Sequence, residues 1–150
     1  MTKNNINIYD IGKYLLDNCP KKYGSGITQL QKLLYYAQVE SLIQYHKPLF
    51  EEEIQAWDLG PVIPTVYFEF ARYMAEKKDL FEEKCTKNPF PCETIKILNL
   101  VLEKYGSKTP QQLIEQTHQE IPWKTTYHPN KKFSNSVIHP KKILASLPKK

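Results

Sequence analysis

Leu30-Gln31-Lys32-Leu33-Leu34-Tyr35-Tyr36-Ala37-Gln38-Val39-Glu40-Ser41-Leu42-Ile43-Gln44-Tyr45 decides how this chain folds. Ten of these sixteen residues are apolar or aromatic. One face of a helix cannot hold that many. A helix that is apolar on most sides is the buried centre of its domain. Thr28 and Gln31 have the spacing of a capping box, which predicts the helix start at that point. Lys47-Pro48 ends it, because proline cannot continue a helix.

Working outward, proline and glycine punctuate the chain at intervals that suit further helices. Ile8, Ile11 and Leu15 predict a helix over 8–18, capped by Asn7 and stopped by Pro20. Residues 20–27 read as a turn containing Gly24-Ser25-Gly26. Ile54 to Asp58 alternates as a short strand. Gly60-Pro61-Val62-Ile63-Pro64 is a rigid corner whose last proline opens another helix. That helix carries Val66, Phe70, Tyr73 and Met74 and ends near Lys78. Residues 84–91 form a loop closed by Pro89 and Pro91. Ile95, Leu98, Leu102 and Tyr105 predict the next helix, with Gly106 at its C-terminal cap. Thr109-Pro110-Gln111-Gln112 opens another, again with a capping box, and this one runs to about Gln119. Residues 121–134 read as irregular. Asn135 to His139 reads as a second short strand, and Pro140 starts a last helix through Leu147. The expected fold is mainly α (α+β): one domain over 1–150, a compact bundle of about six helices with a small two-stranded β element.

Composition bounds what such a domain does. With 150 residues, 41% hydrophobic and 25% charged, the chain can bury a core without disulfides or metal. No apolar run reaches the ~20 residues of a membrane span. No signal-type apolar stretch follows Met1. Three cysteines, Cys19, Cys85 and Cys92, are an odd and irregularly spaced set, read as reduced thiols. Together these lead us to expect a cytoplasmic protein. The net charge is +5, with −1 over residues 1–60, +1 over 61–110 and +5 over 111–150. Only Arg72 among the 21 basic residues is an arginine, so the bidentate guanidinium that reads bases and clamps phosphates is almost missing.

Chemistry-bearing motifs are sparse. The five glycines form no phosphate loop. Cys85 and Cys92 are spaced too widely for a zinc ribbon, so a site with His118, His128 or His139 is not expected. Neither Cys19 nor Cys92 has an oxyanion-hole signature beside it. No catalytic residue, metal or cofactor is therefore assigned, and an enzyme would require a pocket of perturbed titratable groups. The aromatic excess points elsewhere. There are ten tyrosines, and a tyrosine buries a ring while offering a hydroxyl, which suits cores and interfaces alike. Trp57 with Gly60 and Pro61 fixes a bend, and a rigid bend also makes a low-entropy lip for a partner. His118 on a partly apolar face reads first as a hydrogen-bonded core residue. Trp123 after Pro122 reads as a plug at the end of the bundle, and Trp is also a common interface anchor.

Several segments together resemble one family. They are Leu30-Gln31-Lys32-Leu33-Leu34-Tyr35-Tyr36-Ala37-Gln38, Lys47-Pro48-Leu49-Phe50, Ile54 through Tyr67 with its Ala56-Trp57 and Gly60-Pro61-Val62, and Thr117-His118-Gln119-Glu120-Ile121-Pro122-Trp123-Lys124. In order and spacing this is similar to the Panacea domain, the SocA-like antitoxin domain, over about residues 8–147. The chain departs from the pattern at Val39-Glu40-Ser41 and at Ile121. The resemblance implies an antitoxin that neutralises a toxin encoded nearby by direct protein–protein binding. One alternative is an adaptor that delivers the toxin to a protease. The expected partner surface comprises Trp57, Gly60, Pro61, Tyr67, His118, Trp123, Lys131 and Lys132. A second alternative is nucleic-acid binding through Lys131, Lys132, Lys141, Lys142, Lys149 and Lys150, with a steep salt dependence as its signature.

Overall fold

The computed structural model describes residues 6–20, 26–76, 84–86, 89–128 and 136–147. Seven helices and one hairpin occur among them. The helices are α1 Ile8–Asn18, α2 Ile27–Tyr45, α3 Pro64–Glu76, α4 Cys92–Tyr105, α5 Pro110–His118, α6 Ile121–Lys124 and α7 Pro140–Ser146. The hairpin is β1 Gln55–Trp57 and β2 Gly60–Val62. The helical, mainly α reading holds. Residues 21–25 of the turn expected at 20–27 and the end of α3 beyond Glu76 lie outside the described residues, as do the side chains of Tyr73 and Met74.

α2 is the centre of the domain and packs against α1, α3, α4, α5, α7 and β2. Leu30, Leu33, Leu34, Tyr35, Tyr36, Ala37 and Leu42 are buried against Ile8, Ile11 and Leu15 of α1, Ile97, Leu98 and Val101 of α4, Leu113 of α5 and Ile143 of α7. Burial extends to the polar residues of α2. Gln29, Gln31, Lys32, Gln38, Glu40 and Ser41 are buried as well. Buried polar groups must be satisfied, and here they hold the irregular chain that leaves α2 and returns. Gln38 accepts from the N–H groups of Leu49 (2.7 Å) and Phe50 (3.2 Å) and donates to the Phe50 carbonyl (3.0 Å). Two turns earlier, Gln31 accepts from the Ile63 N–H at 2.7 Å and donates to its carbonyl at 3.3 Å. Ser41 donates to the Lys47 carbonyl at 2.7 Å.

This use of Gln31 corrects the start of α2. No Thr28–Gln31 box forms. The helix is capped by Gly26 with no side-chain bond. The box at the head of α5 forms as expected, with Thr109 and Gln112 each serving the other's backbone N–H. Asn7 caps α1, accepting from Tyr9 and Asp10.

Three further expectations are corrected. The two-stranded sheet is the local hairpin, with Gln55 opposite Val62, Ala56 opposite Pro61 and Trp57 opposite Gly60. The expected strand at 135–139 is reduced to a single bridge, Gln55 to Val137, flanked by Ala56 N–H to Ser136 O and Ile138 N–H to Ile54 O; Asn135 lies outside the described residues. The segment read as irregular from 121 opens with a helical turn, α6. Gly106 follows α4 in right-handed geometry rather than as a left-handed cap. Glycine is needed there for space, since a Cβ would lie 2.5 Å from the Leu102 carbonyl oxygen and 3.0 Å from Pro20 Cδ.

Candidate partner-binding face

The hairpin and the first turn of α3 bring three aromatic rings together at the surface. The Trp57 ring meets Tyr67 edge-on at 5.2 Å and Phe68 at 6.4 Å, and Tyr67 meets Phe68 at 5.5 Å. Leu59, at the tip of the hairpin, is 56% exposed, Phe68 is 62% exposed and Tyr67 39%. Trp57 is partly buried and its ring N–H donates to Gln55 Oε1 at 2.9 Å. Clustered exposed apolar groups of this kind mark interaction sites.

A second aromatic stack braces the hairpin from α5 and α6. His118 stacks on Trp123 at 3.9 Å, and Trp123 on Tyr127 at 4.6 Å. The Trp123 ring N–H donates to the Trp57 carbonyl at 2.8 Å, and the Tyr127 hydroxyl donates to the Asp58 carboxylate. That hydrogen bond, first among its causes, raises the Tyr127 pKa above the ordinary value. Trp123 is thus a strut between α6 and β1. Burial lowers the His118 pKa, a backbone hydrogen bond with Asp58 opposes the shift, and the charge of Lys32 adds to it. The imidazole Nε2 is buried with no partner among the described residues.

Beneath the hairpin lies Lys32, 1% exposed, whose ammonium donates to the Pro61 carbonyl at 3.1 Å. Burial lowers its pKa to about 7. Gly60, at φ 107°, passes so close that a Cβ would lie 2.8 Å from Lys32 Cε and 2.7 Å from Thr117 Oγ1. Only glycine combines that dihedral with that approach.

The structure therefore divides the residues expected from the sequence. Trp57 and Tyr67 present rings at the face. Gly60 and Pro61 are buried and shape it from below, and His118 and Trp123 brace it. Lys131 and Lys132 lie outside the described residues. Of the other lysines in the nucleic-acid alternative, Lys141 is exposed and Lys142 donates to Thr126 Oγ1 at 2.8 Å, while Lys149 and Lys150 lie outside the described residues. Leu59, Phe68 and Lys32 were not anticipated. Phe68 was legible: with Val66 facing the core, a residue two positions later turns about 200° away. Among the described residues no cluster of three or more histidine, cysteine or acidic side chains could hold a metal, and no helix is long and apolar enough to cross a membrane.

The family model described as antitoxin SocA-like, Panacea domain, matches residues 30–124. Its span runs from α2 to the end of α6 and takes in the Trp57, Tyr67 and Phe68 cluster together with His118 and Trp123, while Tyr127 lies just beyond it. No curated protein and no solved structure matches the chain.

Proposed function

Because the chain belongs to the SocA-like antitoxin, Panacea-domain family, we propose that it is a cytoplasmic antitoxin that neutralises a toxin encoded beside it by binding it directly. The observation that carries this reading to a surface is the exposed group Leu59, Tyr67 and Phe68 around Trp57. Aromatic anchors dominate binding energy in protein interfaces, and rigid ones lose little entropy on docking. The hairpin is held from below by Lys32 and from the side by Trp123, so its rings are positioned before a partner arrives. A toxin seated here would cover a standard interface of ~1,600 Å² in total. The role is one of binding rather than catalysis.

Growth rescue tests the proposal. The adjacent small reading frame is expressed from a tight promoter, alone and with this chain. The expected result is growth arrest alone, and restored growth with a co-purifying complex when both are present. Restored growth without a complex would favour delivery to a protease. A harmless neighbour would remove the proposal's main support.

A further inference from the structure

A recessed site is built around the start of α6. It is a cleft of about 290 Å³ between α2, the α5–α6 junction and α7. Val39, Ile121, Ile143 and Leu147 supply apolar walls, with Glu120 and Tyr35 among the polar lining groups. Ile121 at its mouth is 54% exposed. The volume is at the bottom of the ~300–1,000 Å³ range of small-molecule pockets, enough for one long side chain.

Two polar groups in this lining are poised for a hydrogen-bond donor. Tyr35 is 1% exposed, yet its hydroxyl has no hydrogen-bond partner among the described residues. The Tyr36 hydroxyl, by contrast, donates to Glu120 Oε1 at 3.1 Å. Burial raises the Tyr35 pKa, and the charge of Glu120 adds to the shift. Burial also raises the pKa of Glu120 itself, against the opposing effects of hydrogen bonds from Tyr36 and Gln116 and of the charge of Lys108. Lys108 is engaged elsewhere, donating to Gln116 Oε1 at 2.8 Å. The lining contains one carboxylate and no basic residue, although the chain as a whole carries +5. A desolvated carboxylate beside an unpartnered hydroxyl, reached through apolar walls, is complementary to a cation on an aliphatic stem.

We propose that this cleft is an anchor pocket for a basic side chain of the toxin, which lays its stem along Val39, Ile121 and Leu147 and places its charged nitrogen between the Glu120 carboxylate and the Tyr35 hydroxyl. This rests on the antitoxin reading. It adds a polar anchor to the aromatic one.

The test has two arms. In the first, the isotope-labelled chain is titrated with N-acetyl-lysine methylamide and with its uncharged analogue N-acetyl-norleucine methylamide. Saturable NMR shifts confined to Tyr35, Val39, Glu120, Ile121, Ile143 and Leu147 are expected with the lysine compound only. Glu120→Gln, which keeps an acceptor for Tyr36, should weaken that response at least tenfold, the value of a lost charge-assisted bond. An equal response to norleucine, or none to lysine, overturns the pocket's preference for cations. In the second arm, Glu120→Gln and Tyr35→Phe are each expected to weaken toxin binding severalfold. Unchanged toxin affinity with an intact lysine response overturns the partner's side chain as the occupant. A chain that binds no toxin removes the antitoxin reading, and the titration alone then upholds or overturns the cation preference.

Discussion

Lys32 is a cation in the middle of the core, with a backbone carbonyl as its hydrogen-bond acceptor. Desolvation lowers its pKa from 10.5 to about 7 in the folded chain. Between those values the unfolded chain holds a proton that the folded chain has released, so stability rises with pH from about 7 upward. Below about 7 both states are protonated and the dependence vanishes. The expected gain from pH 7 to 9 is up to about 2 kcal/mol by denaturant titration, and it should be absent in Lys32→Met. A parent chain with the same pH slope as Lys32→Met would contradict this reading. Single residues of this kind were the least legible in the sequence. Lys32 stands among apolar neighbours, where a lysine ordinarily reaches solvent, and nothing in its spacing tells that Pro61 and Gly60 will close over it.

Elements were legible wherever one local signal decided them. Ile8, Ile11 and Leu15 define the buried face of α1, and Thr109 with Gln112 opens α5 as expected. The signal failed where a side chain had a long-range competitor. Gln31 has the spacing of a helix cap for Thr28 but bonds Ile63, 32 residues away. The two-stranded sheet is the hairpin, which Asp58-Leu59 closes over two residues at low loop entropy, and the segment expected as its partner at 135–139 adds a single bridge on the other edge of β1. Gln38 shows what the buried amides of α2 contribute. Gln38→Leu removes the amide that accepts from the N–H groups of Leu49 and Phe50 and donates to the Phe50 carbonyl. The expected loss is roughly 2–3 kcal/mol in a urea titration, far above the cost of an isosteric core change, because three buried hydrogen bonds to the backbone are removed together. A loss below about 0.5 kcal/mol would mean that the 48–50 segment is held by other contacts.

For the whole molecule, the centrality of α2 and the mainly α architecture could be read from Leu30 to Tyr45 alone. Of the exposed aromatic cluster, Trp57 and Tyr67 were singled out from the sequence, as was Trp123, which braces the hairpin beside them. Phe68 could have been read from its place two residues after Val66, whereas Leu59 could not, since its exposure depends on how the hairpin tip stands on the finished core. The most direct measurement is a calorimetric titration of the neighbouring toxin into the parent chain and into Phe68→Asp, whose fold is checked by its unchanged melting temperature. Phe68 is 62% exposed, so the substitution leaves the core intact. The expected result is tight binding by the parent and a loss of at least about tenfold in Phe68→Asp, the scale of an interface anchor. Equal affinity in the two chains would contradict the placement of the toxin on the aromatic face.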